Sequence, residues 1–237
     1  MSSSKEKSAG ANFQTLTRYR RGNLPGATGK AVPTYKVYAN PLEVAHLSVP
    51  NLKGGEGLWK TLATTREGIA EGGRLRQTEI SQIIWATAGF TYGGQRTRAT
   101  AVPLAGLEAY VIARELEDIF PGLYHYDPRE HSLEYLDRND PSFALKDVLL
   151  DDVEVEACAA VIALTGVPAR VDDKAKSRGY RYLYLEAGAA AQCAMLAAVA
   201  LDLVATVHGE FYDDDLSRLL QIDGQNEVPL CLVTLGT

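Results

Sequence analysis

The sequence predicts an α+β fold, because stretches with strand character and stretches with helical spacing are mixed along the chain. Two apolar runs, LEAYVIAR at 107–114 and AVIALTGV at 160–167, predict buried strands. Residues 78–88, TEISQIIWATA, place apolar side chains at the spacing of a helix. Residues 183–205 are apolar and rich in alanine, which predicts a long helix. We therefore expect one sheet with helices around it.

Shorter elements follow from turn residues and charge. Residues 122–136, GLYHYDPREHSLEYL, predict a hairpin with an Asp-Pro turn. Residues 213–221 begin with aspartates, which the dipole of a helix favours at its N-terminus. Residues 228–236, VPLCLVTLG, predict a closing strand. Residues 58–65 and 142–159 have helical patterns that are less regular.

The N-terminal part lacks such patterns. Residues 1–12 are rich in Ser, Lys and Gly, which is typical of a disordered tail. Residues 13–58 have little periodicity and many Gly and Pro residues, which indicates an irregular arm laid over another surface. We therefore divide the chain into a tail and arm at 1–57 and a domain at 58–237.

Composition and charge exclude several classes of protein. The chain has 24 basic and 30 acidic residues among 237, a net charge of −6, and no basic stripe of the kind that binds nucleic acid. Cys158, Cys193 and Cys231 lie in apolar runs without metal-ligand spacing, so we expect small buried residues in a reducing compartment such as the cytoplasm. The polar N-terminus does not resemble a secretory signal.

The alanine-rich segment 183–205 is nearly long enough to span a bilayer. It contains Glu186, Gln192 and Asp202, and a charged residue at mid-bilayer costs about 2.5–3.5 kcal/mol. We therefore expect a helix of a soluble protein, buried on nearly all sides, that is central to the fold or shared with a partner subunit.

Histidines give a weak signal for chemistry. His125 and His131 flank the predicted hairpin turn and could face each other, although a solvated pair is more common than a metal site, and we predict no metal. His208 lies between the long helix and the acidic helix, where either a plain loop or a cofactor contact is compatible with the sequence.

The arginines give a stronger indication of a binding site than the histidines do. Arg66, Arg74 and Arg76 precede the helix at 78–88, and Arg96 and Arg98 follow it in a Gly-rich loop. Guanidinium groups bind phosphate and carboxylate, and glycines let backbone amides approach an anion. Ordinary surface charge is the alternative. From the residues alone, the chain is a mixed α and β protein with a possible site for a phosphorylated ligand.

Ordered similarity to a known family extends this reasoning. The strings EISQIIWATAGFT, GLYHYDPREHSLEYL, RGYRYLYLEAGAAAQCAMLAAVALDL and GEFYDDDLSRLLQIDGQNEVPLCLVTLG resemble, in this order, segments of SagB-type dehydrogenases of the FMN-dependent nitroreductase superfamily. The similarity spans residues 13–236. It implies a four- or five-stranded, mostly antiparallel sheet flanked by helices. It also implies an intertwined homodimer with FMN at the interface between both chains.

The resemblance also implies site residues. Lys174 matches a family lysine that assists proton removal, so it is the candidate catalytic residue. Arg66 is the nearest match to the segment that grips the FMN phosphate. Thr100 and Ala101 stand in the stretch that wraps the flavin ring. The other candidate FMN contacts are Arg96, Arg98, Gln192 and Gly209.

The sequence departs from the family pattern at several of these positions. Val102 stands where a glycine is usual, Ala175 replaces a tyrosine beside Lys174, and Cys193 replaces an asparagine. Loss of an arginine that holds a phosphate removes a contact worth about 1.5–3 kcal/mol, and Arg74, Arg76 or Arg98 would have to compensate.

Two hypotheses follow. The first is an FMN-dependent oxidoreductase that transfers a hydride, acting on a peptide-derived azoline or a similar small substrate. The second is a flavin-free homodimer of the same fold, which binds a peptide or partner protein as a subunit of a biosynthetic complex.

Overall fold

A computed structural model describes residues 8–22, 32–64, 72–100, 106–139, 142–150 and 155–237. The side chains of residues 142, 143, 156, 173 and 174 lie outside this description. All structural statements below concern the described residues.

The fold is α+β, built on one antiparallel sheet of seven strands in the order β1-β4-β3-β2-β5-β7-β6. The strands are β1 Glu43–His46, β2 Leu107–Ala113, β3 Gly122–Asp127, β4 Ser132–Asp137, β5 Ala160–Gly166, β6 Val204–His208 and β7 Val228–Gly236. The five inner strands are those that the sequence predicts. The sheet has more strands than the expected four or five, because the two edge strands, β1 and β6, were not predicted.

The two edge strands have different origins. β1 belongs to the arm. Three of its four residues are exposed, and its sequence lacks the hydrophobic alternation that predicts a strand. β6 follows the long helix directly, because that helix ends at Ala200 rather than at residue 205. Asp202, with φ of 67°, reverses the chain between them. His208 is therefore the last residue of a strand, and its predicted place in a loop is wrong.

Seven α-helices accompany the sheet in the described part of the chain. They are α1 Ala9–Leu16, α2 Leu58–Ala63, α3 Gln77–Ala88, α4 Ser142–Val148, α5 Pro168–Ala175, α6 Gly179–Ala200 and α7 Asp213–Leu219. α1 overlaps the predicted disordered tail, which is therefore wrong from Ala9 onward. Its N-terminus is capped by Ser8, whose hydroxyl accepts a hydrogen bond from the Ala11 amide.

Alternation along the strands separates two faces of the sheet. In β2, Ala109 and Val111 belong to the larger core, which includes α3 and α6, while Tyr110 and Ile112 belong to a smaller core with α4 and α7. Glu108 lies on the same side as Tyr110, so part of this second face is polar.

The antiparallel register brings several segments to one end of the sheet, here called the loop end. It is the end where β2, β4 and β7 begin and where β3, β5 and β6 finish. The loop after α3, the hairpin turn and α5 all lie at the loop end. The opposite end, called the far end, holds the C-termini of β2 and β7 and the C-terminus of α6.

α6, with the short turn before it, forms a helix over Lys176–Ala200 that is long and apolar enough to cross a membrane by length and composition alone. It packs on α3 and the sheet, and Glu186 at its middle is fully buried. Eight of its 22 residues are buried. The expectation of a helix buried on nearly all sides is therefore not met within a single chain.

A glycine at the start of β3 gives a test of the hairpin geometry. Gly122 has φ of 145°, and a Cβ there would lie 2.3 Å from the Asp137 carbonyl oxygen. We expect Gly122→Ala to destabilise the protein by about 2 kcal/mol and to lower Tm by about 4–8 °C. Gly57→Ala is the matched control, because a Cβ at Gly57 meets nothing within 4 Å. Equal Tm values for the two variants would contradict this account.

Candidate functional site

The loop after α3 folds back onto the end of that helix. The Thr97 amide donates to the Gly89 carbonyl at 3.2 Å, and the Thr97 hydroxyl donates to the Trp85 carbonyl at 3.0 Å. The Trp85 indole donates to the Phe90 carbonyl at 2.8 Å. These bonds fix the backbone that carries Arg96 and Arg98 at the loop end.

Arg96 is held against the end of α3. Its Nη1 donates to the Ala88 carbonyl at 2.6 Å, and its guanidinium lies 4.4 Å from the centre of the Phe90 ring. Its Nε is buried and has no hydrogen-bond partner among the described residues. Burial, together with the positive charge of Arg98, lowers the pKa of Arg96 to about 10.

Arg98 points into the protein and meets α6. Its side chain is 1% exposed, and its Nη2 lies 3.6 Å from Oε2 of Glu186, which is 0% exposed. None of its three guanidinium nitrogens has a hydrogen-bond partner within the described part of the chain. Burial lowers the pKa of Arg98, and the negative charge of Glu186 opposes this effect. The candidate FMN contact Arg98 is thus enclosed in an ion pair.

The other candidate residues are more open. Thr100 and Gln192 are exposed, the latter on the outer face of α6. Gly209 follows β6, and a Cβ added there meets nothing within 4 Å. Lys174 lies in the last turn of α5, with its side chain outside the description. Arg66 and Ala101 lie outside the described residues.

Two groups of described residues that bear on the predicted cofactor site lie at opposite ends of the sheet. Arg96, Arg98 and Thr100 lie at the loop end. The residues that flank segment 65–71, which contains Arg66, lie at the far end. On one side α2 packs beside Ala200, and on the other the Gly72 carbonyl accepts a hydrogen bond from the Thr237 hydroxyl.

The arginines proposed to compensate for a weak phosphate site are occupied. Arg74 donates from Nε and Nη2 to the Leu116 carbonyl at 3.2 and 3.1 Å, at the far end. Arg76 binds Glu79 one turn into α3: its amide donates to Oε2 at 2.8 Å and its Nε donates to Oε1 at 2.9 Å.

A buried polar cluster covers the second face at the loop end, and its centre is His125. Nδ1 lies 2.7 Å from Oε2 of Glu134, and Nε2 lies 3.1 Å from Oε2 of Glu108. Burial alone would lower the pKa of His125, but the two carboxylates outweigh it and raise the pKa above its usual value. The two carboxylates thus favour the imidazolium form of His125.

This arrangement corrects the predicted solvated histidine pair. His125 is fully buried, whereas His131 bonds from its ring nitrogens to Tyr126, Ser81 and Ser48 on the other face. Each histidine therefore has its own partners, and the two do not form a site. Within the described ranges, no group of three His, Cys, Asp or Glu side chains is suited to a metal ion.

Glu108 also binds groups from α5 and the arm. Arg170 donates from Nη2 to Oε1 of Glu108 at 2.5 Å and from Nε to the Pro33 carbonyl at 2.7 Å. The Lys36 amide donates to the same Oε1 at 2.6 Å. The arm and α5 are therefore fastened to the sheet by one buried carboxylate.

A second carboxylate completes the cluster. Glu227, just before β7, accepts hydrogen bonds from Lys36 at 2.8 Å, Tyr110 at 2.8 Å and Thr165 at 2.6 Å. The attraction of Glu227 raises the pKa of Lys36, although partial burial opposes it. The backbone of Lys36 binds Glu108 and its side chain binds Glu227, so the arm is held at two points.

The arginines at the start of α6 hold α1 rather than Glu186. Arg178 donates to the Thr17 carbonyl at 3.0 Å, and its guanidinium lies over the Tyr19 ring. Arg181 donates to the Thr17 hydroxyl at 2.7 Å and to the Gln14 carbonyl. Glu186 pairs with Arg98 instead.

The three cysteines are free, and two of them match the sequence prediction. Cys158 and Cys231 are buried, whereas Cys193 is only partly buried on α6 near Arg98. The prediction of three buried cysteines is therefore wrong for Cys193.

A cavity of about 340 Å³ opens at the loop end beside Arg96. Its walls come from the arm, α3, the following loop and the hairpin turn, and they are mostly aromatic and aliphatic: Leu47, Trp85, Phe90, Tyr92, Tyr126 and Pro128. Because Phe90 carries Arg96 on its ring, the cavity adjoins the candidate cofactor loop.

The sequence pattern of the nitroreductase family matches residues 74–237. A protein of Methanocaldococcus jannaschii that bears the name nitroreductase MJ1384 is 30% identical over 163 residues, which cover 68% of this chain and 81% of that protein. The chain belongs to the nitroreductase family.

Solved structures share the nitroreductase fold. A protein from Ralstonia eutropha, described as a nitroreductase, has a TM-score of 0.69 at 22% identity, covering 91% of this chain and 94% of its own. A chain of the Escherichia coli microcin synthetase complex McbBCD, solved with truncated pro-MccB17 bound, has a TM-score of 0.66 at 18% identity. The match covers 95% of this chain and 90% of that chain. A protein from Exiguobacterium sibiricum, described as a nitroreductase and solved with FMN, has a TM-score of 0.55 at 13% identity. The match covers 78% of this chain and 90% of that chain.

Sequence reasoning missed the polar residues that organise the site. Glu108 stands inside the strand LEAYVIA, Glu134 in SLEYLD and Glu186 in the apolar helix. The signal was present, because a carboxylate inside an apolar element must find a cationic partner when buried. The partners themselves come from distant segments and were not visible.

The His125 cluster predicts a pH-dependent stability. A folded pKa above the unfolded value of about 6.5 stabilises the fold below that pH, and the contribution is lost as pH rises through the folded pKa. We expect His125→Gln to cost about 3–5 kcal/mol below pH 6.5 and less as the pH rises through the folded pKa, because the substitution removes the cation beside Glu134 and one of the two cations beside Glu108. Urea unfolding at several pH values measures the difference.

The matched control is His46→Gln, since His46 is exposed at the edge strand. A wild-type minus His125→Gln difference that stays constant with pH would contradict an imidazolium between the two carboxylates.

Proposed function

We propose that this protein is an FMN-dependent oxidoreductase similar to SagB-type dehydrogenases, which removes a hydride from a peptide-derived azoline or a similar small substrate. Membership of the nitroreductase family and the FMN-bound structural neighbour support the general kind of activity. The peptide-bound microcin synthetase neighbour supports a peptide substrate. Free cysteines support a reducing, cytoplasmic setting.

The observation that carries the proposal is Arg96 in the loop after α3. Its buried Nε lacks a hydrogen-bond partner among the described residues. An unpaired buried donor is costly, and an anionic or carbonyl-rich ligand satisfies it. The open space at Gly209 and the exposed Thr100 and Gln192 leave room for a planar ring. These residues therefore fit FMN.

In this proposal Arg96, Thr100, Gln192 and Gly209 hold the cofactor, and Arg66 contacts its phosphate. FMN supplies two-electron hydride chemistry when it is bound. Lys174 takes the proton that leaves the substrate together with the hydride, or polarises the reacting group. The bond of Arg170 to Glu108, one helical turn before Lys174, fixes α5 on the sheet. The aromatic cavity beside Phe90 receives the substrate.

We further propose a homodimer in which each site uses both chains. Exposed apolar side chains on α6 and α2 support this, since a second copy of the chain can cover them. α6 exposes Leu185 (64%) and Gln192 on one side, spaced by two helical turns. Nearby α2 exposes Trp59 (80%), which is unusual for an isolated chain.

The cofactor is tested first by an absorption spectrum of the purified protein, repeated after FMN is added and excess is removed. We expect a retained yellow chromophore that dithionite or a reduced nicotinamide bleaches. Arg96→Met should weaken FMN binding about ten- to 100-fold, because it removes a charge-assisted contact. The control Arg218→Met removes an exposed arginine on α7 and should leave binding unchanged.

Lys174→Ala is expected to keep the flavin and to slow oxidation of a thiazoline-containing peptide by about 10²–10⁴, since it removes the proton-transfer group. A colourless wild-type protein that refuses FMN would overturn the proposal. Unchanged turnover in Lys174→Ala would overturn only the role of the lysine.

The dimer is tested by light scattering after size exclusion. We expect a mass of twice 25.7 kDa for the wild type. Leu185→Glu should shift it toward the monomer, because it places a charge in an apolar interface. Phe120→Glu, at a residue that is 68% exposed between β2 and β3, should remain dimeric. A monomeric wild type would contradict the two-chain site.

A second candidate is a flavin-free subunit that binds a peptide or partner protein in a biosynthetic complex. The ion pair of Arg98 with Glu186 favours it, since one of the two arginines at the loop end is already neutralised within the chain. A colourless dimer that binds a thiazoline-containing peptide would support this candidate over the first.

A further inference from the structure

We infer that the buried pair Arg98–Glu186 is a positioning device, which fixes the cofactor loop on α6 without contacting the cofactor itself. This inference rests on the proposed FMN site and assigns Arg98 a role different from that of Arg96.

The geometry separates the two arginines. Arg96 is partly exposed, with its guanidinium stacked on Phe90 at the rim of the aromatic cavity. Arg98, two residues later in the same loop, points inward and is 1% exposed. A ligand at the surface can reach Arg96 but is screened from Arg98 by protein.

Glu186 is the anchor on the helix. It lies in the middle of α6 and is fully buried, and its carboxylate lies 3.6 Å from the guanidinium of Arg98. Burial of a carboxylate inside an otherwise apolar helix is unfavourable unless a cation accompanies it. Arg98 is the cation that the described structure places beside Glu186. The ion pair therefore joins the loop after α3 to α6 at this point.

The contact lies between two predicted cofactor residues. Thr100 follows Arg98 by two residues, and Gln192 follows Glu186 by less than two turns of α6. The pair therefore sets the distance between the loop that carries Thr100 and the helix that carries Gln192. Loss of the pair should loosen the loop even where the protein remains folded.

A double-mutant cycle separates positioning from stability. Arg98→Met and Glu186→Leu each remove one charge of the buried pair, and each should lower Tm by about 10 °C. The double variant Arg98→Met with Glu186→Leu replaces the pair by apolar side chains and should recover most of this loss, as buried ion pairs often permit.

Two further measurements then distinguish a positioning role of the pair from a purely structural one. Hydrogen exchange of peptides covering residues 89–100, measured without cofactor, should be faster in the double variant than in the wild type. FMN affinity, measured by quenching of flavin fluorescence, should fall about ten- to 100-fold in the double variant. Arg218→Met, which breaks an exposed ion pair with Asp215, should match the wild type in both.

A double variant with recovered Tm, wild-type exchange and wild-type FMN affinity would overturn the inference and leave the pair a purely structural contact. Slow wild-type exchange that becomes fast in the double variant supports positioning even in a protein that takes up no FMN. A wild type that refuses FMN overturns the proposed function, so the two failures are distinguishable.

Discussion

The carboxylate of Glu108 is the point on which the loop end of the molecule depends. It binds the His125 ring, the Arg170 guanidinium and the Lys36 amide, which belong to β3, α5 and the arm. Burial would raise the pKa of this carboxyl, but His125 and Arg170 hold it below its usual value. A strand inside the sheet therefore carries a permanent negative charge, and the segments around it are placed where their positive groups can reach that charge.

Charge balance explains why such a cluster is tolerated under the sheet. The carboxylates of Glu108, Glu134 and Glu227 are matched by the cations of Lys36, His125 and Arg170. Balanced clusters of this kind add little net stability compared with apolar packing, but loss of one member is expensive. The cluster thus contributes geometry more than stability: it determines where the arm and α5 lie, and α5 carries Lys174.

The sequence predicted what local periodicity controls. The inner strands, α3 and α7 follow from apolar spacing and punctuating residues. The long helix was predicted over 183–205, but it begins earlier, at Gly179, and ends earlier, at Ala200. β6 was missed because its residues continue the apolar composition of α6, and the turn depends on the positive φ of Asp202. The partners of Glu108 and Glu186 could not be predicted, because they join residues far apart in the chain through tertiary packing.

Two functions of α6 explain its unusual composition. Its inner side needs small residues, since Ala187, Ala190 and Ala194 are buried against α3 and the sheet. Its outer side leaves Leu185 and Gln192 exposed, although the helix as a whole is apolar. An apolar helix that is half exposed is costly for a chain alone in water and favourable at a subunit interface. Glu186, on the buried side, is a charged residue that an apolar helix does not require. Its pairing with Arg98 connects the helix to the loop that also carries Arg96.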